Sequence, residues 1–144
     1  MTQPLVNLVM HFDGSCHPNP GGRLGYGWHI DTDAGVRVAE AGGVIDGYPA
    51  GEATNNTAEF EALLAGLEWV AAFKWAAIDT RTIRGDSQLV VKIVNGEWNA
   101  KKPHLRLLAE RCKVQVKAVE AGDIVIEWVR RELNAVADKL STTN

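Results

Sequence analysis

The sequence predicts an α/β fold, a mixed sheet with helices packed on its faces, and three observations carry that expectation. Short apolar runs follow one another near the N-terminus with only turn residues between them. After residue 57 the apolar residues fall at three- and four-residue steps, and from there strand-like and helix-like segments alternate to the end of the chain. A meander followed by such alternation is the pattern of a mixed sheet covered by helices, not of a bundle or a sandwich.

Taken in order, residues 5 to 12, LVNLVMHF, are short and bulky enough for a buried strand that ends at Asp13. Residues 13 to 22 then read as a shaped turn, with two prolines and three glycines. GYGWHIDT (25 to 32) and VRVAEAGGVI (36 to 45) are two further strands joined by a hairpin-like link at Asp33 to Gly35. Phe60, Leu63, Leu64, Leu67, Val70 and Ala71 share one helical face, which predicts a helix from Thr57 to about Phe73. AIDTRTIRG (77 to 85) returns to strand character, and SQLVVKIVN (87 to 95) is a short helix stopped by Gly96. A long helix starts near Pro103, with Leu105, Leu108, Cys112, Val116 and Val119 on one face and Gly122 at its end. IVIEWV (124 to 129) is the last strand and NAVADKLS (134 to 141) the last helical segment.

Composition bounds the function. The length of 144 residues, 46% hydrophobic and 23% charged, suits one ordinary domain, 1 to 144, with no repeat or linker. No apolar run reaches the ~20 residues of a membrane span, and the N-terminus has no secretory signal, so a cytoplasmic monomer without membrane contact is expected. The two cysteines, Cys16 and Cys112, are neither a CxxC pair nor a disulfide frame, and Cys16 next to His17 has no further ligand at zinc spacing. The net charge of −3 argues weakly against nucleic acid, yet Lys101, Lys102, Arg106, Arg111, Lys113 and Lys117 face only Glu110 within one segment.

Four acids stand at element boundaries: Asp13, Glu59, Asp86 and Asp138. Each has a structural reading. Asp13-Gly14 opens a turn; Glu59 lies three residues after Asn56, as in a capping box; Asp86 suits an N-cap; Asp138 suits a helix's first turn. Jointly they say more, because an open α/β sheet gathers its site beyond the carboxyl ends of its strands, where Asp13 and Asp86 fall if their strands are parallel neighbours. Four carboxylates packed together repel one another at neutral pH unless cations lie between them. Oxygen-only ligands select hard divalent ions, Mg²⁺ first and Mn²⁺ as a substitute. Two such ions stabilise the attacking and leaving oxygens of an in-line phosphoryl displacement.

DGSCHPNPGG, TNNTAEFEALLAGLE, GDSQLVV and RELNAVADKLS, in this order and spacing, resemble type 1 ribonuclease H over residues 5 to 141. The resemblance implies a ribonuclease H-like fold: a five-stranded mixed sheet, three strands as an antiparallel meander and two parallel, with helices on both faces. It implies an endoribonuclease that cuts the RNA strand of an RNA/DNA hybrid with two Mg²⁺ ions, leaving 5′-phosphate and 3′-hydroxyl ends. Asp13, Glu59, Asp86 and Asp138 match the family's catalytic, metal-binding carboxylates. Small residues at Gly14, Ser15 and Cys16 would let the backbone approach the minor groove, where 2′-hydroxyls mark RNA. Asn19, Asn55, Asn56 and Gln88 match hybrid-contacting positions.

Two departures follow. No histidine occurs after His104, so Arg131 and Asn134 are the candidates for phosphate and metal-shell contacts in place of the family's loop histidine, although Asn134 is also a good N-cap. The extra helix and basic loop that some members insert are absent; Lys101, Lys102 and Arg106 would grip the DNA strand instead, with Trp98 offering a stacking face. Alternatives are a non-catalytic hybrid- or RNA-binding module, the nuclease domain of a reverse transcriptase, against which the start at Met1 argues, and a DNA nuclease on the same fold.

Overall fold

The computed structural model describes residues 6–73, 78–119 and 123–142; the expected starts at Leu5 and Ala77 and the stop at Gly122 lie outside them. In chain order the elements are β1 (Val6–His17), β2 (Arg23–Thr32), β3 (Arg37–Ile45), α1 (Asn55–Ala72), β4 (Ile78–Gly85), α2 (Gln88–Val94), α3 (Pro103–Ala118), β5 (Asp123–Trp128), a 3₁₀ turn (Arg131–Leu133) and α4 (Ala135–Thr142). The strands form one sheet in the order β3-β2-β1-β4-β5. β1 and β2, and β2 and β3, pair antiparallel, whereas β1 with β4 and β4 with β5 are parallel.

Side chains alternate across a strand, so each strand feeds two faces. Leu8, Met10 and Phe12 of β1, Trp28 and Ile30 of β2, Ile83 and Ile126 form the floor on which Phe60, Leu63 and Leu67 of α1 and the apolar faces of α2 and α3 pack. The opposite face carries α4 on a bed of glycine. A Cβ on Gly25, Gly27 or Gly42 would run into the backbone of α4.

Below α4 that second face is polar. Glu40, His29, His11, Arg84 and Glu127 form one cross-strand row. The His11 and His29 rings stack with centroids 4.9 Å apart, His29 Nδ1 meets Asp31 at 2.8 Å, and Arg84 donates to Glu127 at 2.7 Å. Arg37 holds the other oxygen of Asp31. Burial, with His29 and Arg84 adding to it, pushes His11 down to about 4, and burial also lowers His29. The unfolded chain therefore takes these protons first as the pH falls. Stability supplied by the neutral pair is complete above about pH 6.5 and is lost toward pH 4, at a cost of up to about 3 kcal/mol for His11. The urea midpoint of His11→Gln should fall less than that of wild type between pH 7 and pH 4.5; parallel curves would contradict this.

The structure corrects one boundary that matters for function. β1 does not stop at Asp13 but runs to His17, with Asp13 opposite Gly27 and His17 opposite Arg23. What stops there is the parallel pairing, whose last pair is Phe12 with Gly85. Gly14 is not a turn residue: its missing Cβ leaves room for the backbone of Ala58 and Glu59 in α1. Past Phe12, β1 is thus paired on one side only, and α1 approaches the open side.

Candidate active site

Three acids meet in that opening. Asp13 projects from β1, Glu59 enters from α1, and Asp86 follows the last residue of β4; one carboxylate oxygen from each lies within 4.8 Å of the others. Asp138, in the first turn of α4, lies near enough to Asp13 to push its carboxyl up and lines the same opening. All four line one cleft of about 560 Å³.

The helix starts release these acids from capping. Thr54, not Asn56, is the N-cap of α1, accepting from the Thr57 amide at 3.3 Å, so Glu59 is not part of a capping box. Ser87, not Asp86, caps α2, accepting from the Val90 amide at 3.2 Å. Asp86 is instead positioned from behind. The Trp128 indole donates to its backbone oxygen at 3.0 Å, and Asn134 Nδ2 reaches its carboxylate at 3.3 Å. Asn134 does not cap α4 with its side chain. It is 1% exposed and also donates to the Phe12 carbonyl at 2.8 Å, tying the last helix to the end of the β1–β4 pairing.

Electrostatics shows the tension in the set. Burial, reinforced by Asp86 and Asp138, raises Asp13 to about 7 against the hydrogen bond with Glu59. Burial and the Asp13 charge raise Glu59 well above the ordinary range, against the amide of Gly14. Glu59 Oε2 is buried without a hydrogen-bond partner. A buried carboxylate oxygen left over in an all-oxygen cluster fits a hard divalent cation, which would complete that oxygen's coordination and neutralise the set.

The rim brings together seven of the residues singled out in the sequence. Gly14, Ser15, Cys16, Asn19, Asn55, Asn56 and Arg131 line the same cleft. Asn19 Oδ1 accepts from the Asn55 amide at 3.1 Å, which ties the β1–β2 loop to the start of α1. Ser15 and Cys16 present backbone, because the Ser15 hydroxyl donates to Ser141 O at 2.9 Å and the Cys16 thiol to Ala53 O at 3.4 Å. Arg131 is exposed and has no acidic partner among the described residues. Gln88, Trp98, Lys101 and Lys102 are exposed outside the cleft, and Lys92 sits 4.8 Å from the Trp98 ring centre.

Sequence reading missed His104. The Thr57 hydroxyl lies 2.5 Å from Glu52 O, which accepts its proton, so the imidazole Nε2 at 3.1 Å must donate to Thr57. That bond joins the first turn of α3, just after Lys101 and Lys102, to the first turn of α1, which carries Asn55 and Asn56 and leads into Glu59. A histidine after proline carries no sequence signal for such a link.

A family model described as reverse transcriptase-like matches residues 11–144. The crystal structure of RNase H1 from the archaeon Halobacterium salinarum NRC-1 superposes with a TM-score of 0.80 at 36% identity, covering 94% of each chain. The chain belongs to the type 1 ribonuclease H family. The N-terminal RNase H domain of Rv2228c from Mycobacterium tuberculosis matches at 33% identity and TM-score 0.79, over 94% of this chain and 91% of that one. LC11-RNase H1, whose structure holds an RNA/DNA hybrid, matches at 30% identity and TM-score 0.77, over 92% of each chain. By sequence, ribonuclease HI of Halobacterium salinarum is 40% identical over 133 residues. This ribonuclease H chain spans 91% of itself in that match but 60% of that relative, and 35% of the bifunctional protein Rv2228c. No described helix is long and apolar enough to cross a membrane.

Proposed function

We propose that this protein is an endoribonuclease that hydrolyses the RNA strand of RNA/DNA hybrids, leaving 5′-phosphate and 3′-hydroxyl ends. The observation that carries the reading is the convergence of Asp13, Glu59, Asp86 and Asp138 in one cleft rimmed by Gly14 and the asparagines. Asp13, Glu59, Asp86 and Asp138 would hold two divalent ions, Mg²⁺ in the cell with Mn²⁺ as a substitute. Bound there, the ions supply Lewis-acid charge to the phosphoryl oxygens and make water a better nucleophile.

The chain's own residues do the rest. Asn19, Asn55, Asn56 and the backbone of Gly14 to Cys16 set the hybrid's minor groove over the acids, where 2′-hydroxyls distinguish RNA from DNA. Arg131, exposed at the cleft and free of an acidic partner among the described residues, takes the negative charge of a phosphate. Gln88 contacts the hybrid from the first residue of α2, and Trp98, Lys101 and Lys102 meet the DNA strand. Lys101→Ala with Lys102→Ala should flatten the dependence of hybrid affinity on salt by up to about two phosphates' worth; an unchanged slope would remove them from the interface.

Asn134 acts through Asp86 and not on the substrate, since it is buried. Asn134→Ala should raise the Mg²⁺ concentration for half-maximal cleavage about tenfold or more while leaving the affinity for hybrid as it was. Equal Mg²⁺ curves would deny it that positioning role. The same reading has the protein act as a cytoplasmic monomer.

The deciding experiment offers labelled hybrid, duplex RNA, duplex DNA and single strands with Mg²⁺, Mn²⁺ or chelator. Cutting confined to the RNA of the hybrid, and lost with chelator, is the expected result. Binding without cutting would overturn the assignment.

A further inference from the structure

We propose that His17 and Arg23 form a phosphate subsite for the backbone of the bound nucleic acid, beyond the carboxylate cleft and continuous with it; this rests on the hybrid-binding reading above. Asp13, Ser15 and His17 share one face of β1, since side chains alternate, and Arg23 is the register partner of His17 on β2. Four residues of strand put this pair about 13 Å from Asp13, too far to serve the scissile phosphate. The face between is built from glycine at positions 25 and 27 and is covered by α4, which ends at Thr142. Both basic side chains are exposed just beyond that end.

There they border a second cleft of about 150 Å³, with Ser15, Leu24, Gly25, Ser141 and Thr142 as its other walls. Ser15 and His17 also line the carboxylate cleft, so the two are joined. Neither base has a carboxylate partner among the described residues. Arg23 is not needed to cap α4, because Ser15 donates to Ser141 O and the Thr142 hydroxyl serves Asp138 O and Lys139 O. A guanidinium fork beside an imidazole donor, left unneutralised on a path that leads into an acidic cleft, suits a phosphodiester, which both can grip through charge-assisted hydrogen bonds. With Arg131 at the carboxylate cleft, the strand would pass over the acids between two cationic holds.

The test measures hybrid binding by the full chain carrying Asp13→Asn, which prevents cutting, across a range of salt. Adding Arg23→Gln should weaken binding severalfold and reduce the salt slope by about 0.7 to 0.9, the worth of one phosphate, whereas Arg23→Lys should keep the slope. Hybrids with a single methylphosphonate at successive positions should reveal one position, away from the scissile bond, where neutralisation weakens the parent but not Arg23→Gln. An unchanged slope, or equal sensitivity of both proteins at every position, would overturn the subsite. So would Arg23→Gln and Asp46→Asn producing the same melting shift with no change in slope, since Arg23 would then serve the acid that follows β3. Failure of the Asp13→Asn parent to bind hybrid at all would instead overturn the hybrid-binding reading underneath.

Discussion

Asp13→Asn should abolish Mg²⁺-dependent cleavage of hybrid and, without metal at pH 8, leave a protein that melts at a higher temperature than wild type. The two effects share a cause. Asp13 is 4% exposed, and burial beside Asp86 and Asp138 raises its carboxyl from 3.8 to about 7. The folded chain therefore keeps a proton that the unfolded chain has already given up. Stability is full below about pH 4 and is lost as the pH rises through 7, by up to about 4 kcal/mol above it. Asparagine cannot ionise, so the variant escapes that loss; a gain of up to about 13 °C is the scale expected for a chain of this length. Adding Mg²⁺ should raise the melting temperature of wild type and have much less effect on the variant, because an ion that binds only the folded state stabilises it. Differential scanning calorimetry at pH 5 and pH 8, with and without Mg²⁺, measures all of this. Equal melting temperatures at pH 8 would mean that the acids do not repel one another.

Gly27→Ala should damage the same site from a residue that never touches substrate. A Cβ on Gly27 would stand 2.5 Å from Ala137 O and 2.6 Å from Ser141 N, which are backbone atoms of α4. The helix has to lift, and Asp138, next to Ala137, moves with it away from Asp13, the register partner of Gly27. Overpacking of this kind costs about 1 to 3 kcal/mol, and cleavage should fall at least tenfold through loss of the fourth carboxylate. Gly35→Ala is the control. Gly35 has φ of 86° and no atom within 4 Å of its would-be Cβ, so alanine there strains a turn without touching α4. A comparable loss of stability with undiminished cleavage by Gly35→Ala would tie the Gly27 effect to α4. An active Gly27→Ala would show that Asp138 tolerates the shift.

The architecture was legible because its signals are periodic. Phe60, Leu63 and Leu67 mark the buried face of α1 by spacing alone, and Leu8, Met10 and Phe12 mark the core face of β1. The four acids could be chosen from their places at element ends. What resisted reading depends on contacts between distant segments. Gly14 looks like the start of a turn, but its real constraint is the backbone of α1, which no local pattern reveals. Asn56, Asp86 and Asn134 are good N-cap types; the folded chain gives the side-chain caps of α1 and α2 to Thr54 and Ser87, and sends the Asn134 side chain inward to Phe12 and Asp86. The glycine bed under α4 is drawn from β2 and β3 and becomes meaningful only once a helix more than ninety residues later lies on it.

Paired cations among these acids are the centre of the account, and anomalous scattering from Mn²⁺ tests them most directly. Crystals of a cleavage-resistant hybrid bound to the wild-type chain, soaked in Mn²⁺, should show two anomalous peaks about 4 Å apart among Asp13, Glu59, Asp86 and Asp138. Peaks elsewhere on the molecule, or none in a crystal that holds the hybrid, would contradict it.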